Sequence, residues 1–87
     1  MAVVKKELVV KNKQGLHARP AALFVQVANK FDSHIIVKRD DEEVDGKSIM
    51  GILTLGAEKD SVIIVEAEGE DAALAIVELE KIINSEE

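Results

Sequence analysis

The stretch Gly15-Leu16-His17-Ala18-Arg19-Pro20-Ala21 holds the residues of this 87-residue chain best suited to chemistry. Gly15 permits a sharp turn and a close approach to the backbone. His17 stands at the mouth of an amphipathic run, where the free N–H groups and the dipole of a helix start favour an anion. A neutral imidazole there is a nucleophile. Arg19 offers a guanidinium fork that matches phosphate oxygens. Pro20 stiffens the helix start, so the geometry need not be ordered anew when phosphate arrives. A nucleophile beside a positive cradle is what a phosphohistidine carrier needs. No carboxylate in this segment is placed to activate water, so a phosphoryl group would persist until a partner's nucleophile arrives. The plainer alternative is a histidine that merely neighbours a helix cap, and on local chemistry the two readings are level.

The elements that must position these residues follow from periodicity. Residues 3–11 read as a strand with Val4, Leu8 and Val10 on one face, and Lys6 spoils the pattern. From Ala18 to Phe31 the period becomes helical, with Leu23, Phe24, Val27 and Phe31 forming the apolar stripe. Pro20 fits only in the first turn of that helix, which puts His17 at or next to its N-cap. Residues 34–39 and 42–45 predict two short strands joined around Asp40-Asp41. The run from Ser48 to Leu55 is ambiguous, but Ser48 is a good N-cap and Gly56 a good stop, so a short helix is expected. Residues 61–67 predict a strand buried on at least one face. After Gly69, the positions Ala72, Ala75, Ile76, Leu79, Ile82 and Ile83 mark a last helix. The order β-α-β-β-α-β-α predicts an α+β fold, an antiparallel sheet with helices on one face.

Composition narrows the classes. The length allows one domain, taken as residues 1–87, with little room for a deep substrate pocket. Only Phe24 and Phe31 are aromatic, so the core is built from Val, Ile, Leu and Ala. The absence of cysteine excludes disulfides and thiol chemistry. With no apolar leader region and no span-length apolar run, a cytoplasmic protein without membrane insertion is expected. The net charge of −6 is unevenly spread. Residues 1–30 carry six bases and one acid, a net of +5, whereas residues 60–87 carry nine acids and one base, a net of −8. The asymmetry suggests one face that attracts an acidic partner, with solvated charge and no partner as the plainer alternative, while the overall sign argues against nucleic acid.

Gly15-Leu16-His17-Ala18-Arg19-Pro20-Ala21 resembles the active-site signature of the HPr family, the histidine-containing phosphocarriers of the bacterial phosphoenolpyruvate-dependent sugar phosphotransferase system. A second segment, Lys47 to Ala57, resembles that family's regulatory-serine region, and the likeness runs from the first strand to the last helix. The resemblance implies an open-faced β-sandwich, a four-stranded antiparallel sheet with three helices on one face. It implies phosphorylation of His17 on Nδ1 by enzyme I and donation to the IIA domains of sugar permeases, with no cofactor and no metal. Arg19 would steady the phosphate, helped by the backbone N–H groups of Ala18 and Arg19. Ser48 matches the serine modified by HPr kinase/phosphorylase, which would slow transfer from enzyme I and create a form read by a catabolite-control transcription regulator. Ile49, Met50 and Leu53 match an exposed apolar contact, with Arg19, Gln26 and Lys30 as its polar rim. Gln14, Ala22 and Leu53 depart mildly from the family pattern and bear on partner selectivity.

His34 has no supporting constellation and reads as a surface strand histidine. The presence of His17 argues against regulatory paralogues that lack it, and Ser48 against nitrogen-system relatives. Two other classes compete: a small acylphosphatase-like hydrolase, disfavoured by the final helix, and a purely regulatory module working through Ser48. A monomer is expected.

Overall fold

The computed structural model describes residues 2–86. Four strands and three helices follow one another as β1 (Val3–Val9), α1 (Ala18–Ala28), β2 (His34–Arg39), β3 (Glu42–Asp45), α2 (Ile49–Leu55), β4 (Val62–Glu68) and α3 (Ala72–Ile83). The strands form one antiparallel sheet in the order β1-β4-β2-β3. This is the α+β arrangement that the periodicity predicts.

The buried face of the sheet carries Leu8, Ile35, Val37, Ile63, Val65 and Ala67, aligned by the pairings Leu8↔Ile63, Ile35↔Ala67 and Val37↔Val65. Against it lie Phe24, Ile52, Leu55, Ile76, Leu79 and Ile83 from the helices. Each of these Val, Leu, Ile and Phe side chains contributes about 1.5–3 kcal/mol on leaving water. The other face is bare, and there the Lys38 ammonium sits 2.5 Å from Glu66, with Lys5 at 4.0 Å. The Lys38 hydrogen bond holds the Glu66 carboxyl below its ordinary range.

Lys6 breaks the β1 alternation for a reason found outside the strand. Its ammonium reaches Glu80 of α3 at 2.7 Å, so a cation on the helix side of an edge strand snorkels to a carboxylate. That contact lowers the Glu80 pKa.

The α1 stripe differs from the sequence expectation. Ala21, Phe24 and Ala28 are buried, whereas Leu23 is 42% exposed and Val27 only partly covered. The helix packs against α3, whose own buried surface includes Ala72 and Ala75. Leu23 lies at the edge of that contact, in a cleft it shares with Lys81 and Ile82 of α3. The helix also stops at Ala28, so Phe31 joins the core from the following turn. Elsewhere the differences are one or two residues at element ends. Ser61 belongs to the turn before β4, where its N–H and hydroxyl both donate to the Glu58 carbonyl.

Candidate functional site

The segment that presents His17 is fastened on three sides. At its start, the Val10 N–H donates to Ser61 O at 2.9 Å and the Lys11 N–H to Ile83 O at 2.9 Å. The buried Asn12 amide then donates to Ile82 O and Ser85 O, at 2.9 and 2.8 Å, closing the carbonyl end of α3. At its far end, the Leu16 N–H donates to Ala57 O at 2.7 Å, and the Leu16 side chain is buried. An anchored leucine thus immediately precedes an exposed histidine.

Gly15 makes this seating possible. Its φ is +79°, and a Cβ there would lie 2.6 Å from Ala57 O and 2.9 Å from Glu58 Cα. The chain then passes through His17 in extended geometry, φ −141° and ψ 164°, as the N-cap of α1. The imidazole makes no capping hydrogen bond and faces solvent. Ala18, the first helical residue, has φ +44°, a left-handed value that costs a side-chain-bearing residue about 1–2 kcal/mol. The strained residue is thus the immediate neighbour of the exposed His17. The N–H groups of Ala18 and Arg19 have no intrahelical acceptor, and Pro20 has no N–H to offer. Two free donors therefore end the helix beside His17.

His17 lines a shallow cleft of about 300 Å³ together with Gln14, Leu16, Leu53, Gly56, Ala57 and Glu58. A second cleft, about 460 Å³, is lined by Ala18, Arg19, Pro20 and Leu23 with Lys13 and Lys81. His17 and Leu53 are thus brought together. Arg19 borders the neighbouring cleft, and among the described residues it makes no ion pair, so its guanidinium is uncommitted.

Ser48 caps α2, its hydroxyl accepting from the Gly51 N–H at 3.1 Å. Asp45 and Asn29 bind the backbone of Lys47, whose ammonium donates to Phe31 O at 2.6 Å, so the approach to Ser48 is held in place. On α2 the labour is divided. Ile52 and Leu55 are buried, Ile49 and Met50 are exposed at 40% and 69%, and Leu53 is intermediate. Gln26 and Lys30 are exposed on and just after α1, which lies against α2.

Sequence reasoning missed Leu23, whose exposure beside Arg19 adds an apolar surface, and Glu58, a carboxylate in the His17 cleft. The Leu23 exposure depends on how α1 packs against α3, which no local pattern announces. Glu58 comes from the α2–β4 connection, and nothing local to His17 announces it. Among the described residues no cluster of three or more His, Asp or Glu is arranged to hold a metal, and no helix is long and apolar enough to cross a membrane.

An exposed histidine at the N-cap of α1 stands on a four-stranded antiparallel sheet with three helices, an α+β architecture with one open face. The family described as "PTS HPr component phosphorylation site" matches residues 4–85. The chain belongs to this HPr family of phosphotransferase-system phosphocarriers, which carry phosphoryl groups rather than act as independent catalysts. It is 45% identical over 84 residues to the HPr-like protein Crh of Halalkalibacterium halodurans, covering 97% of this chain and 100% of the relative. It is 43% identical over 82 residues to the phosphocarrier protein HPr of Neisseria meningitidis, covering 94% and 92%. The crystal structure of HPr from Thermoanaerobacter tengcongensis superposes with a TM-score of 0.92 at 49% identity, covering 95% of this chain and 93% of that one. That organism's HPr is also described as a dimer, which matches at 54% identity and a TM-score of 0.74 over 85% of each chain.

Proposed function

We propose that His17 is the phosphoryl acceptor of this carrier. Enzyme I, itself charged from phosphoenolpyruvate, transfers its phosphoryl group: its own bond to phosphorus breaks as one P–N bond forms at Nδ1 of His17. That bond breaks again when a sugar-specific IIA domain takes the group. The observation that supports this best is the uncapped, solvent-facing His17 imidazole beside the free N–H groups of Ala18 and Arg19. Those donors and the uncommitted Arg19 guanidinium answer the charge of the bound phosphoryl group. Residues 1–87 act as one cytoplasmic carrier domain.

Docking falls to Ile49, Met50 and Leu53, with Gln26 and Lys30 at the rim. Met50 is the most exposed large apolar residue of the described chain, and a flexible thioether suits a surface that meets several partners. The basic N-terminal third favours an acidic face on enzyme I.

Ser48 supplies regulation. HPr kinase/phosphorylase would add a phosphate at the N-cap of α2, where the fold tolerates negative charge while an acidic partner does not. The modified form would serve a catabolite-control transcription regulator, and the likeness to Crh, named in one structure a catabolite repression HPr, favours this second role.

The test mixes the chain with enzyme I and phosphoenolpyruvate. An acid-labile, base-stable phosphate on wild type that is absent from His17→Ala supports the reading. No adduct with active enzyme I, or one that survives His17→Ala, defeats it. Unaided turnover of acetyl phosphate would favour a hydrolase. Light scattering before and after phosphorylation distinguishes the expected monomer from a dimer.

A further inference from the structure

Arg39 ends β2 on the face that buries Ile35 and Val37, an uncommon place for a guanidinium. A charge there is costly unless it is hydrogen-bonded. Its Nη1 donates to two carbonyls at the end of α2, Leu55 O at 3.0 Å and Gly56 O at 3.2 Å. Those are carbonyls for which the helix itself has no donor, at the end where its dipole is negative. Gly56 closes the helix in the left-handed conformation, φ +62°, its N–H donating to Leu53 O.

The next carbonyl along, that of Ala57, holds the Leu16 N–H at 2.7 Å, and Gly15 lies flat against the same atom. A continuous path therefore runs from the sheet through Arg39 to the end of α2, then through Ala57 and Leu16 to His17. Among the described residues no other side chain hydrogen-bonds the backbone of Leu55, Gly56 or Ala57. Arg39 touches neither His17 nor the N–H groups beside it.

We infer that Arg39 is a positioning residue for phosphoryl transfer. It locks the α2 terminus to the sheet so that Ala57 holds Leu16, and hence His17, in the orientation that meets an incoming phosphoryl group. The inference rests on the carrier reading of His17. Misplacement of a reacting group by a fraction of an ångström slows the chemical step more than it weakens docking. Loss of the lock should therefore act on kcat rather than KM.

The experiment compares wild type, Arg39→Met and Arg39→Lys in phosphorylation by enzyme I with phosphoenolpyruvate, and in amide hydrogen exchange. Arg39→Met keeps the apolar stem, and Arg39→Lys keeps a cation that can donate to one of the carbonyls. In Arg39→Met, kcat should fall about 10-fold with KM for the chain unchanged. The Leu16 amide should exchange about 10-fold faster while the Val65 amide in the central strand does not change. Arg39→Lys should recover part of both effects. The inference is overturned by an unchanged Leu16 amide, by acceleration shared with Val65, by an effect on KM alone, or by an unchanged kcat. A wild type that accepts no phosphate would bring down the carrier reading and the role of Arg39 together. An active wild type with an equally active Arg39→Met would remove only the latter.

Discussion

The Ser33 hydroxyl donates to the carboxylate of Asp71, 38 residues further along the chain. The Ser33 N–H reaches the same oxygen at 3.0 Å, and the Asp32 N–H reaches the other at 2.9 Å. Asp71 stands at the N-cap of α3 yet makes no cap bond there, because its side chain is turned to the start of β2. Gly69 accommodates this closeness, since a Cβ on it would lie 2.6 Å from the Ser33 oxygen.

The Asp71 contact should appear as acid sensitivity. Its pKa is lowered, first by the Ser33 hydroxyl and then by the Asp32 N–H. A carboxyl with a depressed native pKa stabilises the fold above its unfolded value, and the contribution is lost as pH falls through the native one. Asp71→Asn should therefore lower Tm at pH 7, and the gap from wild type should close on acidification. A gap independent of pH would contradict this.

Ala18 and Ala22 should respond in opposite ways to glycine. Ala18 holds φ +44°, where glycine is unstrained. Ala22 is an exposed interior residue of α1, where glycine costs about 1 kcal/mol. Ala18→Gly is expected to be neutral or stabilising by up to about 1 kcal/mol in urea melts. It should also slow phosphorylation of His17 if the strained backbone presents the ring.

Neighbours in sequence, Leu23 and Phe24, should separate by an order of magnitude. Phe24→Ala removes a fully buried ring and should cost about 3–5 kcal/mol. Leu23→Ala should stay within about 0.5 kcal/mol. Equal losses in chemical denaturation would restore the stripe expected from hydrophobicity alone.

Ser48 should show its capping role apart from its regulatory one. Ser48→Ala loses the bond to the Gly51 N–H and should cost about 1 kcal/mol. Ser48→Asp keeps a capping oxygen, so its stability should stay near wild type while phosphorylation by enzyme I slows. If Ser48→Asp transfers as fast as wild type, charge at that cap does not gate the carrier.

Short-range signals were legible where one residue decides the local conformation. Asp40-Asp41 marks the β2–β3 turn, and Ser48 with Gly56 turns an ambiguous apolar run into α2. His17 at the N-cap follows from where Pro20 can sit in a helix. What stayed hidden depends on partners far along the chain. Leu23 is left at the edge of the packing between α1 and α3, a contact between elements far apart in the chain. Lys6 spoils the β1 alternation until Glu80 is in view, and nothing in the sequence around Arg39 announces the α2 carbonyls beside it. Glu58 shares a cleft with His17 by way of the α2–β4 connection, not through any pattern near the histidine.

The row of Lys5, Glu66 and Lys38 on the bare side of the sheet bears on life in a crowded solution. Val3 is exposed on one side of this row, and Val9, Val62 and Ile64 on the other. An uninterrupted apolar sheet face would invite copies to stack. Here a stacking copy would first have to strip water from two ammonium groups and a carboxylate, a cost that a few valines do not recover. The charged row thus interrupts the apolar patches on the uncovered side of a one-layer sheet and disfavours face-to-face stacking.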